Sequence, residues 1–153
     1  MDPAKAHQEF SCDCFNQTWG LLDLKDRSEE QVMEMISTSH ASLYHWRKRE
    51  DCTPENLSIG LWQLARVYAL ANSPQEAMRH AKACLKISED NGLSPFCMAY
   101  AHEAVCRAAV VGDDKETAKT HLASTKTHAK GVTDDHDKKL IDDDIQTLEQ
   151  MTH

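Results

Sequence analysis

Apolar residues recur along the chain at three- and four-residue steps, and short polar clusters interrupt them at regular intervals. Taking 100° per residue, Val32, Met35, Ile36, Ser39, Ser42, Leu43 and Trp46 fall within an arc of about 120°, which is a core-facing helical stripe. The stops are as legible as the stripes. Thr53-Pro54 and Ser94-Pro95 each place an N-cap hydroxyl before a proline suited to the first helical turn. Ser28 to Gln31, Ser73 to Glu76 and Asp113 to Glu116 fit the capping-box pattern or its aspartate variant. Gly92 and Gly131 suit helix C-termini. These signals predict helices near 7–23, 29–49, 55–71, 74–91, 95–111, 114–130 and 134–151. The short loops between them imply antiparallel neighbours.

The punctuation repeats. Thr53 and Ser94 lie 41 residues apart, and at that spacing Leu61-x-x-Leu64-Ala65-Arg66-x-Tyr68 superposes on His102-x-x-Val105-Cys106-Arg107-x-Ala109. Ala77 and Ala81 superpose on Ala118 and Leu122, and Ser39 and Ser42 lie 42 residues before Ala81 and Cys84. Small residues thus recur where a neighbouring helix must come close. The expected fold is all-α, a single domain over 1–153 built from antiparallel αα-hairpin repeats with about seven helices.

Leu61, Leu64, Ala65, Tyr68, Ala77 and Ala81, with Cys84-Leu85, resemble the tetratricopeptide repeat. The resemblance is best over 55–91, weaker over the second repeat at 95–130, and degenerate in a first hairpin at 7–49, leaving 134–151 as a capping helix. It implies a tetratricopeptide-like right-handed superhelix whose first helices line a concave, peptide-binding groove. The period exceeds the usual ~34 residues, Ala109 stands where Tyr68 stood, and His102 replaces the large apolar residue. The whole chain, "HASLYHW" included, also resembles small bacterial tetratricopeptide-like proteins with no assigned activity.

Composition narrows the function classes. Hydrophobic residues make up 41% and charged ones 27%, with only 5 Gly and 4 Pro, a balance that favours a soluble helical domain. A net charge of −8 disfavours nucleic acid and anionic membranes, which need a positive surface. No apolar run approaches the roughly 20 residues of a membrane helix, and "MDPAKAHQEF" lacks the apolar core of a signal peptide. A cytoplasmic location with six reduced cysteines is the expectation. Cys12-x-Cys14 lacks the two-residue gap of common redox and zinc motifs.

The candidate chemistry is sparse. His40 and His45 project about 140° apart and cannot share an ion on one helix. His40, Tyr44 and Arg47 share a stripe beside the core instead, and Arg47-Lys48-Arg49 complements the macrodipole at a helix end. His80-x-x-x-Cys84 and His102-x-x-x-Cys106 have chelating spacing, but both cysteines fall at small-residue seam positions, where a thiol packs as a compact hydrophobe. The aspartates at 134–135 and 142–144 read as a solvated cap face. No complete catalytic motif and no cofactor signature appears.

A second stripe remains on the first helix of each full unit. Ile59, Trp62 and Arg66 have Tyr100, Glu103 and Arg107 as their counterparts one repeat later. Two readings stand: a ligand groove, with His40 and Tyr44 at its border, or packing against the neighbouring hairpin, with Glu103–Arg107 as an i, i+4 pair and Arg66 paired with a nearby acid such as Glu103 of the next hairpin. The groove reading gives a non-enzymatic domain that binds a protein or peptide. The family resemblance then implies an acidic or C-terminal-carboxylate ligand gripped by Arg66 and Arg107, whose guanidinium forks match a carboxylate. The alternative is a regulator binding a small molecule or metal in the same groove.

Overall fold

In the computed structural model all 153 residues are described, and they form seven helices: α1 (Pro3–Leu22), α2 (Glu29–Arg47), α3 (Pro54–Leu70), α4 (Pro74–Asp90), α5 (Pro95–Val111), α6 (Lys115–Ala129) and α7 (Asp135–Met151). There is no strand. Most starts are where the caps put them. Ser28 with Gln31 and Thr53 with Asn56 form complete capping boxes, and Ser94 Oγ accepts from the Cys97 amide. Three details differ. Helix α1 begins at Pro3 rather than near residue 7, because Asp2 caps it by accepting from the Ala4 amide ahead of a proline. Ser73 occupies the N-cap of α4 without a side-chain cap bond. Asp114, not Asp113, caps α6, since Asp113 has turned to φ 58°.

That turn belongs to the repeat. Asn72 has φ 55°, and Asp113 stands 41 positions later, so the same left-handed residue reverses the chain after α3 and after α5. Gly92 does the same after α4 with φ 55°. Gly131 serves differently: a Cβ there would sit 3.1 Å from the Pro95 ring, so the glycine permits close approach of two loops.

Hairpins α1/α2, α3/α4 and α5/α6 stack in order, and α7 lies against α5 and α6. The odd helices also meet directly, α3 with α5 and α5 with α7, so they share one face. Small residues make the seam. Ala77 and Ala81 are fully buried and pack with Ala65, Ala104 and Ala108, letting α4 sit between α3 and α5. Buried Cys84 reaches the Ser58 carbonyl at 3.3 Å, and Ser42, its counterpart one hairpin earlier, donates to the Ser11 carbonyl at 2.8 Å. Helices α2 and α4 thus tie to their partner helices from the same position, whereas Thr125, the counterpart on α6, donates to the His121 carbonyl of its own helix. Leu43 is core, as its stripe requires, whereas Trp46 is only half-buried. Trp46 lies in the last turn of α2, where packing runs out, and the Arg49 guanidinium covers it 3.9 Å from the ring centroid.

Helix α5 is enclosed by α3, α4, α6 and α7 and buries every residue from Ala101 to Ala109, including His102, Glu103 and Arg107. No helix is long and apolar enough to cross a membrane. Ala81→Leu should overpack the α3/α4/α5 seam and destabilise the fold by about 1–3 kcal/mol, read as a lowered thermal midpoint with the helical circular-dichroism spectrum kept. An unchanged midpoint would break the register described here.

Candidate functional site

The Glu103 side chain is completely buried on α5. An isolated carboxylate there would be prohibitively unfavourable, and the structure surrounds it with donors. Trp62 Nε1 donates to Oε2 at 2.8 Å, Arg107 Nε donates to Oε1 at 2.7 Å, and Arg66 Nη2 donates to Oε1 at 3.3 Å. Burial pushes the Glu103 carboxyl up, and the two guanidiniums with the indole N–H more than reverse that, so it stays ionised. The spacing explains the geometry: Trp62 and Glu103 are equivalent positions one repeat apart, and neighbouring first helices bring equivalent positions face to face.

Asp144 of α7 completes the network. Its Oδ2 accepts from the Tyr100 hydroxyl at 2.7 Å, while its Oδ1 lies 3.2 Å from Arg66 Nη2 and 3.6 Å from Arg107 Nη2. Only Arg66 Nε and Arg107 Nη2 lack a hydrogen-bond acceptor among the buried side-chain atoms. The Tyr100 hydroxyl is driven well above the ordinary phenol range by burial first and by Asp144 second, so it acts as a donor and not as a base. Sequence reasoning set Asp144 on a solvated face, and here it turns inward. Asp142 and Asp143 do stay outside, paired at i, i+4 with Lys138 and Lys139, and the next residue falls about 100° further round.

Five of the seven residues marked from the sequence therefore meet in one cluster: Trp62, Arg66, Tyr100, Glu103 and Arg107. The guanidiniums expected to hold a ligand's carboxylate hold the protein's own carboxylates. His40 and Tyr44 stand apart on α2. His40 Nε2 pairs with the Tyr68 hydroxyl at 2.7 Å and its ring meets His80 edge-on, while Tyr44 is 54% exposed beneath Lys48.

Beside the cluster, on the face shared by the odd helices, lies a cavity of about 340 Å³. Phe15 and Trp19 enter it from α1, Ile59 and Trp62 from α3, and Phe96 and Tyr100 from α5. The rings form a continuous wall, with centroids 5.6 Å apart for Trp19–Trp62, 5.4 Å for Trp62–Tyr100 and 5.0 Å for Phe96–Tyr100. Leu140 and Asp144 line it from α7, Glu55 from the first turn of α3, and Ser58, Cys84 and Cys97 complete the lining. A second hollow of about 280 Å³ adjoins it, sharing Phe15 and Ile59 and reaching Trp46. Neither arginine lines either hollow. Sequence reasoning missed Phe15, Trp19, Phe96 and Leu140. The aromatic pairs Phe15/Trp19 and Phe96/Tyr100 at i, i+4 on first helices were the available signal.

The His–Cys pairs do not converge. His80 Nδ1 lies 2.7 Å from the Glu76 carbonyl, and His102 Nδ1 lies 2.9 Å from His121 Nδ1 with His128 stacked on the His102 ring. No group of three or more His, Cys, Asp or Glu side chains is arranged to hold a metal ion. Burial raises the Cys84 and Cys106 thiols to about 11, which keeps both protonated and weak as ligands or nucleophiles. No family model, curated protein or solved structure matches the chain.

Two outcomes follow from this geometry. Glu103→Ala strands two buried guanidiniums and should cost about 3–5 kcal/mol of stability, measured by denaturant unfolding. His102 falls from 6.5 to about 4, through burial first and then His121 and His128. The unfolded chain then binds that proton more readily. The His102 contribution to stability is complete above pH 6.5 and is lost as the pH drops toward 4. The thermal midpoint should fall across that window, and His102→Phe should flatten the fall.

Proposed function

We propose that the protein is a non-enzymatic, tetratricopeptide-like interaction module that receives a protein or peptide segment along the face of its odd helices. The observation that carries this reading is the pair of adjoining hollows, of about 340 and 280 Å³, which lie on either side of Phe15 and Ile59 along one face. Aromatic walls support it, because Trp and Tyr supply large contact area at low entropic cost. The protonated thiols and the internally neutralised charge cluster also support binding over catalysis, since they offer neither nucleophile nor free acid–base pair. A small organic molecule is the second reading, favoured by a cavity volume of about 340 Å³, inside the range of ligand pockets. Arg66 and Arg107 play no direct part in either reading. They hold the wall in place.

Ile59 is 40% exposed and lines both hollows, so a charge there blocks the groove without entering the core. Ile59→Arg should abolish retention of a partner that the wild-type protein captures from native extract, with the thermal midpoint unchanged. Equal retention by both proteins would put the binding surface elsewhere.

A further inference from the structure

We propose that the larger cavity takes an alkylammonium group, carried on a lysine-type side chain of the bound segment. This rests on the groove reading above and adds the chemistry of the occupant. Five rings bound the space, those of Phe15, Trp19, Trp62, Phe96 and Tyr100. Aromatic faces carry negative quadrupole potential and attract an alkylated cation that sheds little hydration on entering. Trp62 already behaves this way toward the Arg66 guanidinium, which sits 5.3 Å from its centroid.

Charge complementarity selects the sign. Glu103 and Asp144 take up Arg66 and Arg107, so the two cations nearest the cavity are already neutralised. Glu55 then stands at the wall as a further carboxylate, and its one recorded polar side-chain partner is the Cys97 thiol at 3.7 Å. Glu55 and Asp137 both add to the burial that raises that thiol, which places their negative field at the cavity wall. A carboxylate ligand would meet ring faces, Glu55 and no available cation. Glu55 is exposed, so a neutral apolar ligand would gain the ring contacts alone, and a cation would gain the carboxylate as well. The polypeptide source is chosen because a second hollow lies beside the cavity, with Phe15 and Ile59 between them, and offers a place for main chain beside the inserted side chain. The chain's net charge of −8 also draws in a basic partner.

The test uses the full chain and tryptophan fluorescence, with calorimetry as a second readout. The probes are choline, its neutral isostere 3,3-dimethylbutanol, and a capped pentapeptide with one trimethyllysine between glycines. The expected result is saturable binding of the cation at least tenfold tighter than the isostere, and tighter binding still by the peptide. Glu55→Gln should weaken both cations severalfold and leave the isostere unchanged, and Trp19→Leu should weaken all three. Equal binding of cation and isostere overturns the charge assignment while leaving the groove intact. Binding of the small cation without the peptide overturns the polypeptide source. Absence of binding by every probe overturns the proposal, and the Ile59→Arg capture experiment then judges the groove by itself.

Discussion

A fully buried carboxylate governs this molecule. Glu103 sits in the middle of the most enclosed helix, and its burial is tolerable only while Trp62, Arg66 and Arg107 all point at it. Those three donors come from two adjacent hairpins. The carboxylate therefore fixes how one hairpin seats on the next, and an alternative register would leave charges buried without partners. Apolar seams specify that two helices pack, but alanines alone tolerate sliding. A buried polar network does not, because each displaced hydrogen bond leaves an unpaired group. The two guanidiniums exceed what one carboxylate can neutralise, and Asp144 supplies the balance. In this way α7 is held at the end of the array by charge as well as by Ile141 and Leu148.

The fold was legible because the chain repeats its own punctuation. Proline after a capping residue, small residues at the crossings and a left-handed residue after each first helix recur at one spacing, so each helix corroborates another. The first helix was read short because Asp2-Pro3 lies outside that spacing. The site was legible only in part. Trp62, Arg66, Tyr100, Glu103 and Arg107 were found because an i, i+4 stripe repeated one unit later. Their charges fitted either a ligand or pairing with Glu103, and the pairing is what the structure has; Asp144 was missed because α7 shows no local sign of which aspartate turns inward. Asp144 differs from Asp142 and Asp143 only in its angle around the helix. That angle acquires meaning from the position of α5, which is a tertiary fact. His40 and Tyr44 shared a stripe on α2 yet serve local contacts, since proximity on one helix does not reveal which neighbouring helix lies opposite.

The network and the cavity share a wall, which would shape the recognition proposed above. Trp62 and Tyr100 each present a ring to the cavity and a polar tip to a buried carboxylate. Their orientations are set by hydrogen bonds before any ligand arrives, so little rotamer entropy is lost at that wall on binding. Phe15, Trp19, Ile59 and Phe96 have no such tether and owe their positions to packing alone. The proposed groove thus has hydrogen-bonded rings at Trp62 and Tyr100, and rings held by packing alone, those of Phe15 and Trp19, on the side toward α1. Substitutions at Trp62 or Tyr100 would confound stability with affinity, because each also unpairs Glu103 or Asp144. Changes at Trp19 or Ile59 separate the two. A partner that needs a fixed anchor would set it against the tethered rings and let its flanks spread toward α1, where the second hollow begins.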